Sequence, residues 1–118
     1  MRDYKKYTVW KEAHELVLFV YKSVIKKLPA SEKYELVSQI KRAAYSVPMN
    51  IAEGAGRNTD KDFLHFLDIA LGSAHEVDYC FFLIFELGYI EADIYEEGRS
   101  KIDSVKAKLI KLIKIIRK

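Results

Sequence analysis

The chain has 118 residues, half of them hydrophobic, with 20 Lys and Arg against 17 Asp and Glu for a net charge of +3. That is enough apolar side chain for one folded domain spanning 1–118, and it excludes a disordered tail or a collagen-like chain. Two prolines and five glycines are too few turn signals for an all-β fold, so the chain reads as all-α.

In chain order, the first periodic segment covers roughly 8–28. Val9, Ala13, Leu16, Val20, Val24 and Leu28 form one apolar stripe, Thr8 is placed to cap its start, and Pro29 ends it. Ser31 is expected to cap a second helix over about 31–54, with Glu32 and Glu35 in its first turn and Leu36, Ile40, Ala43, Val47 and Ile51 as its stripe. Pro48 falls inside that pattern, which predicts a kink that frees carbonyls near Ala44.

Gly54 and Gly56 read as the end of this helix, and Asn58 or Thr59 as the cap of a third over about 60–87. The third helix carries a seven-residue repeat, with Phe63, Ala70, Val77 and Ile84 on one row and Leu67, Ala74 and Phe81 on the other. Gly88 closes it. A fourth segment over about 93–117 repeats at Ile102, Val105, Leu109, Leu112 and Ile116. Four such helices with short connections make an antiparallel up-and-down four-helix bundle. Phe81, Phe82, Phe85, Ile110 and Ile113 exceed what one core seam needs, so they are expected to form an interface with further copies of the chain.

Charge is segregated along the chain. Residues 1–59 carry +5, residues 60–98 carry −9 and residues 99–118 carry +7. Lys106, Lys108, Lys111 and Lys114 surround the seam of the last helix as a candidate cationic face for phosphate, joined by Lys41, Arg42 and Arg57. The competing reading is that the acidic third helix and the basic fourth neutralise each other inside the bundle.

Chemistry of other kinds finds little support. Among His14, His65 and His75, only the pair Asp62 and His65 approaches the spacing of a di-iron bundle, and its apolar neighbours turn it outward. Neither a metal nor another cofactor is expected. Cys80 lacks a nearby base and reads as a small core residue, so an enzyme is not expected. A lone cysteine, the absence of a signal-like N-terminus and the lack of any run of about 18 apolar residues point to the cytoplasm and away from membranes.

The block Gln39-Ile40-Lys41-Arg42-Ala43-Ala44, then Ser46-Val47-Pro48-Met49-Asn50-Ile51-Ala52-Glu53-Gly54, followed by Gly56-Arg57, Gly72-Ser73-Ala74 and Leu87-Gly88-Tyr89, closely resembles the bacterial 23S rRNA intervening-sequence proteins. Lys41 and Val47 are mild departures from the usual arginine and isoleucine. The resemblance implies a four-helix bundle. Family members are similar to the accessory variability determinant of diversity-generating retroelements, so it further implies a homopentamer that binds RNA or other nucleic acid nonspecifically. The alternative it leaves open is a protein-interaction or scaffold module, for example a reverse-transcriptase accessory subunit. For the motif residues themselves, backbone repair accounts for the pattern: Ser46 and Asn50 can bond groups disturbed by Pro48, and Arg57 can return to Glu53.

Overall fold

A computed structural model describes residues 2–118. Four α-helices, α1 (Thr8–Phe19), α2 (Leu36–Ala55), α3 (Asp60–Glu86) and α4 (Ala92–Arg117), form an antiparallel bundle, and the described residues contain no strand. Around the bundle the helices follow chain order: α1 lies beside α2 and α4, and α3 lies beside α2 and α4. The core fills with the stripes read from sequence. Leu16, Ile40, Ile51, Phe63, Leu67, Phe81, Ile84, Ile102 and Leu109 are all fully buried, each worth about 1.5–3 kcal/mol of apolar transfer.

The first helix is shorter than its stripe. After Phe19 the chain widens into a π-helical turn over Val20–Val24 and then a 3-10 turn over Ile25–Lys27. A four-residue step in an ordinary helix rotates a side chain about 40° from its predecessor. The wider turn absorbs that drift, and Val20 and Val24 both stay fully buried. Leu28 is extended ahead of Pro29, as the proline ring requires. Two expected caps are absent. The residue before α1 is Tyr7, with no side-chain cap, so Thr8 is already helical. Ser31 sits in a 3-10 turn, Ala30–Glu32, and α2 begins only at Leu36. Glu32 instead accepts a hydrogen bond from the Tyr89 hydroxyl at 2.9 Å, which ties this turn to the α3–α4 connection.

The other end signals hold. The Thr59 hydroxyl accepts from the Asp62 amide at 3.1 Å. Gly88 adopts φ +81°, and the amides of Gly88 and Tyr89 donate to the carbonyls of Phe85 and Ile84, a Schellman closure that only a residue without Cβ enters freely. Gly54, by contrast, lies inside α2 and does not end it. A Cβ there would come within 2.8 Å of Phe66 Cβ and 2.9 Å of the Phe63 ring, so the missing side chain lets α2 and α3 approach closely.

Pro48 leaves α2 unbroken. It has no amide to give to the carbonyl of Ala44, and the side chains beside it form a polar ladder. The Asn50 amide donates to the Ser46 carbonyl at 2.8 Å and to the Ser46 hydroxyl at 2.9 Å. That hydroxyl is in turn paired at 2.8 Å with the hydroxyl of Ser73 on α3. Asn50 thus bonds Ser46 and not the Ala44 carbonyl that Pro48 leaves without a donor, and Ser46 bonds across the helix interface.

Packing corrects the proposed self-association residues. Phe81 is fully buried and Ile113 is 5% exposed, both within the chain's own core. The reason for Phe81 is Gly98, whose bare backbone receives the ring. Phe85 is half-buried and stacks on Tyr95 with ring centres 4.3 Å apart. Phe82 and Ile110 remain exposed. No helix among the described residues is long and apolar enough to cross a membrane.

Candidate nucleic-acid interface

Antiparallel packing converts the charge pattern from helix by helix to end by end. The start of the chain, the α2–α3 connection and the end of α4 meet at one end of the bundle. The Arg2 amide donates to the Ala55 carbonyl, and the Arg2 guanidinium pairs with Asp60 and lies 4.6 Å from the Phe63 ring centre. Residues 104–118 contribute six basic side chains and no acidic one to this end. At the opposite end, residues 86–97 hold five acidic side chains and no basic one.

Several of the sequence-predicted cations are spent internally. Lys106 donates to Asp78 at 2.7 Å and is largely covered. Lys108 pairs with Glu12 at 3.0 Å and also donates to the Ser104 hydroxyl. Arg57 pairs with Glu53 at 3.1 Å and rests 4.8 Å from the Phe66 ring centre. Lys41 lies over the Tyr21 ring at 5.4 Å. Of these, the Lys106–Asp78 pair joins the basic fourth helix to the acidic third as the alternative reading of the charge pattern anticipated, and Arg117 pairs in the same way with Asp68 at 3.8 Å. Sequence reasoning found the return of Arg57 to Glu53 but not the contacts with Glu12, Tyr21 and Phe66, each of which sits on a different element from the cation it meets.

Lys111 and Lys114 are different. Both are exposed and neither enters an ion pair among the described residues. Lys5, Lys6 and Lys11 share that state at the same end. Between α1 and α4 runs a groove of about 290 Å³ lined by Tyr7, Thr8, Val9, Lys108, Lys111, Leu112 and Ile115. It offers ammonium groups at the rim and an apolar floor. Lys5, Lys6 and Lys11 went unnoticed because in sequence they are far from α4; the signal available was the closed antiparallel topology. Arg42 is also exposed, but it borders a separate groove on the α2–α3 side with Gln39, Ser46, Ser73 and Glu76, so it does not join the lysine cluster.

Groups suited to acid–base or metal chemistry are scattered. Among the described residues, His, Cys, Asp and Glu nowhere gather in threes at metal-binding distance. Cys80 is buried; burial, followed by the charge of Glu76, pushes its thiol above the ordinary range.

A family model described as 23S rRNA-intervening sequence protein matches residues 5–111. Among solved structures, the bundle is similar to a crystal structure of a protein of unknown function from the S23 ribosomal protein family of Bacteroides thetaiotaomicron. The two share 28% identity at a TM-score of 0.82, with 91% of this chain and 99% of that one covered. No curated protein matches the chain.

Proposed function

Since this chain belongs to the 23S rRNA-intervening sequence protein family, we propose that it is a non-enzymatic cytoplasmic bundle that binds RNA or other nucleic acid through phosphate, as a homo-oligomer. The observation that carries this reading is the exposed pair Lys111 and Lys114, unpaired at an end where Lys5, Lys6 and Lys11 add charge and no carboxylate lies within the last fifteen residues. Lysines without planar hydrogen-bonding partners contact phosphate and do not read base edges, so binding is salt-sensitive and weakly selective. Lys106, Lys108 and Arg57 keep the bundle together and contribute field more than contact. For self-association, Phe82 and Ile110 are the surviving members of the original set, and the family resemblance favours five copies.

The test is retention of a fluorescent RNA hairpin by anisotropy across a salt series. Lys111→Glu with Lys114→Glu is expected to weaken binding at least about tenfold and to reduce the salt slope by about 2. Equal affinity of this variant and the wild type would overturn the reading. A second reading, a protein-interaction module, is favoured by the exposed rings of Tyr79 and Phe82; it predicts no RNA retention even at low salt.

A further inference from the structure

The seam between α2 and α3 carries two adjoining grooves. One, of about 470 Å³, is walled by Leu36, Tyr79 and Leu83 and floored by the buried Cys80. The other, of about 300 Å³, is polar, with Arg42, Ser46 and Ser73 around it. Gln39 and Glu76 border both, so an apolar half and a polar half meet at this pair. Together they offer a cleft of the size that small molecules occupy.

The polar groups along the cleft are poorly matched to one another. Arg42 is exposed and makes no ion pair among the described residues. Glu76 has only the Gln39 amide, which donates to its Oε2 at 3.3 Å. Although both border the polar groove, Arg42 and Glu76 do not pair with each other. Burial and then the Glu76 charge raise the Cys80 thiol, so the carboxylate stands close to the apolar half as well. The bond between Ser46 and Ser73 uses one of their two hydroxyl hydrogens, which leaves the other to donate into the cleft.

These groups discriminate between ligand classes. A lone carboxylate or phosphate meets Glu76 as well as Arg42, and a lone amine meets Arg42 as well as Glu76, so for each the attraction is offset by repulsion. A zwitterion satisfies both, and it bridges two charges that are too far apart to pair directly. We propose that the cleft binds a free α-amino acid with an apolar side chain. Its ammonium lies against Glu76 and the Gln39 side-chain carbonyl, and its carboxylate against Arg42 and the remaining serine hydroxyl. Its side chain covers Cys80 between Leu36, Tyr79 and Leu83. This site goes beyond the nucleic-acid reading and does not depend on it, since the groove beside Lys111 lies between α1 and α4.

Titration of the full chain with L-leucine and L-phenylalanine, followed by two-dimensional NMR, tests the proposal. Three analogues each lack one recognised group: isocaproate the ammonium, isoamylamine the carboxylate, and glycine the side chain. Leucine or phenylalanine is expected to bind at least about fivefold more tightly than any of them and to shift the signals of Leu36, Tyr79 and Leu83. Arg42→Gln is expected to weaken leucine at least about fivefold without weakening isoamylamine, and Glu76→Gln to weaken leucine equally without weakening isocaproate. Both positions are exposed, and circular dichroism checks that each variant is folded. No binding of either amino acid at millimolar concentration would overturn the proposal. Analogues that bind as well as leucine, variants that bind leucine as the wild type does, or shifts confined to other surfaces would overturn it too. A peptide with N-terminal leucine that binds where free leucine does not would reassign the cleft to the chain end of a protein partner, and so overturn it.

Discussion

A Cβ added at Gly98 would lie 2.8 Å from Cε1 of Phe81, so the ring of one residue occupies the space that the other leaves empty. This contact closes α4 on α3 and draws Phe81 inside the bundle. Gly98→Ala gains up to about 1 kcal/mol in helix propensity but forces the ring to move, and the net outcome is a loss of about 1–3 kcal/mol. Gly72→Ala, where a Cβ meets nothing within 4 Å, is expected to gain about 0.5–1 kcal/mol. Urea midpoints that move in opposite directions for the two substitutions verify the account; equal shifts refute it.

Lys106 and Asp78 join α4 to α3 through a partly covered ion pair. Lys106→Met leaves Asp78 without its partner and is expected to cost about 1–2 kcal/mol, between the values for exposed and buried pairs. Adding Asp78→Asn should recover most of the loss. RNA affinity of Lys106→Met is expected to stay within about twofold of wild type, since a paired ammonium offers little to phosphate.

Glu12 supplies the acid-sensitive contact between α1 and α4. Burial raises its pKa, but hydrogen bonds from Ser104, at 2.5 Å, and from Lys108, together with the Lys108 charge, outweigh it, and the carboxyl titrates below its ordinary value of 4.5. A depressed folded pKa adds stability above the unfolded pKa, and the contribution is lost as pH falls through the folded value. Glu12→Gln is therefore expected to be less stable than wild type at neutral pH by no more than about 1 kcal/mol, the pair being partly exposed. The difference should shrink as pH falls below the ordinary value of 4.5 and through the lower folded one. A gap that stays constant down to pH 3 (about one unit under the ordinary carboxylate pKa) would show that the charge is not responsible.

Cys80 reports on core opening. Its thiol is buried and its pKa is raised by burial and then by Glu76, so both access and thiolate fraction are low. Reaction with a disulfide reagent in native buffer is expected to be roughly 100-fold or more slower than in denaturant. Comparable rates would mean that the α2–α3 interface opens freely near Leu36 and Leu83, which line the groove over Cys80.

The fold was legible where local chemistry and the apolar period agreed. The seven-residue repeat from Phe63 to Ile84, the Thr59 cap and the Gly88 closure are each determined within a few residues, and each appears where the pattern placed it. Ser31 misled because an N-cap preference is worth only about 1 kcal/mol, and here the turn is held by Tyr89 from the far side of the bundle. The π-helical turn at Val20–Val24 could not be read either, since it reconciles a four-residue spacing with a core whose shape depends on the other helices.

The candidate site divides in the same way. Composition alone determined that the last fifteen residues are basic and that half the chain is hydrophobic. Which lysines remain outside, and which rings, was decided by tertiary packing: Asp78 and Glu12 take Lys106 and Lys108, Gly98 takes Phe81, and Tyr45 and Met49 are left on the surface. The physical reason is range. Periodicity, caps and net charge act between neighbours in sequence, whereas neutralising a charge or burying a ring requires a partner from another helix, and the partner exists only once the bundle has closed.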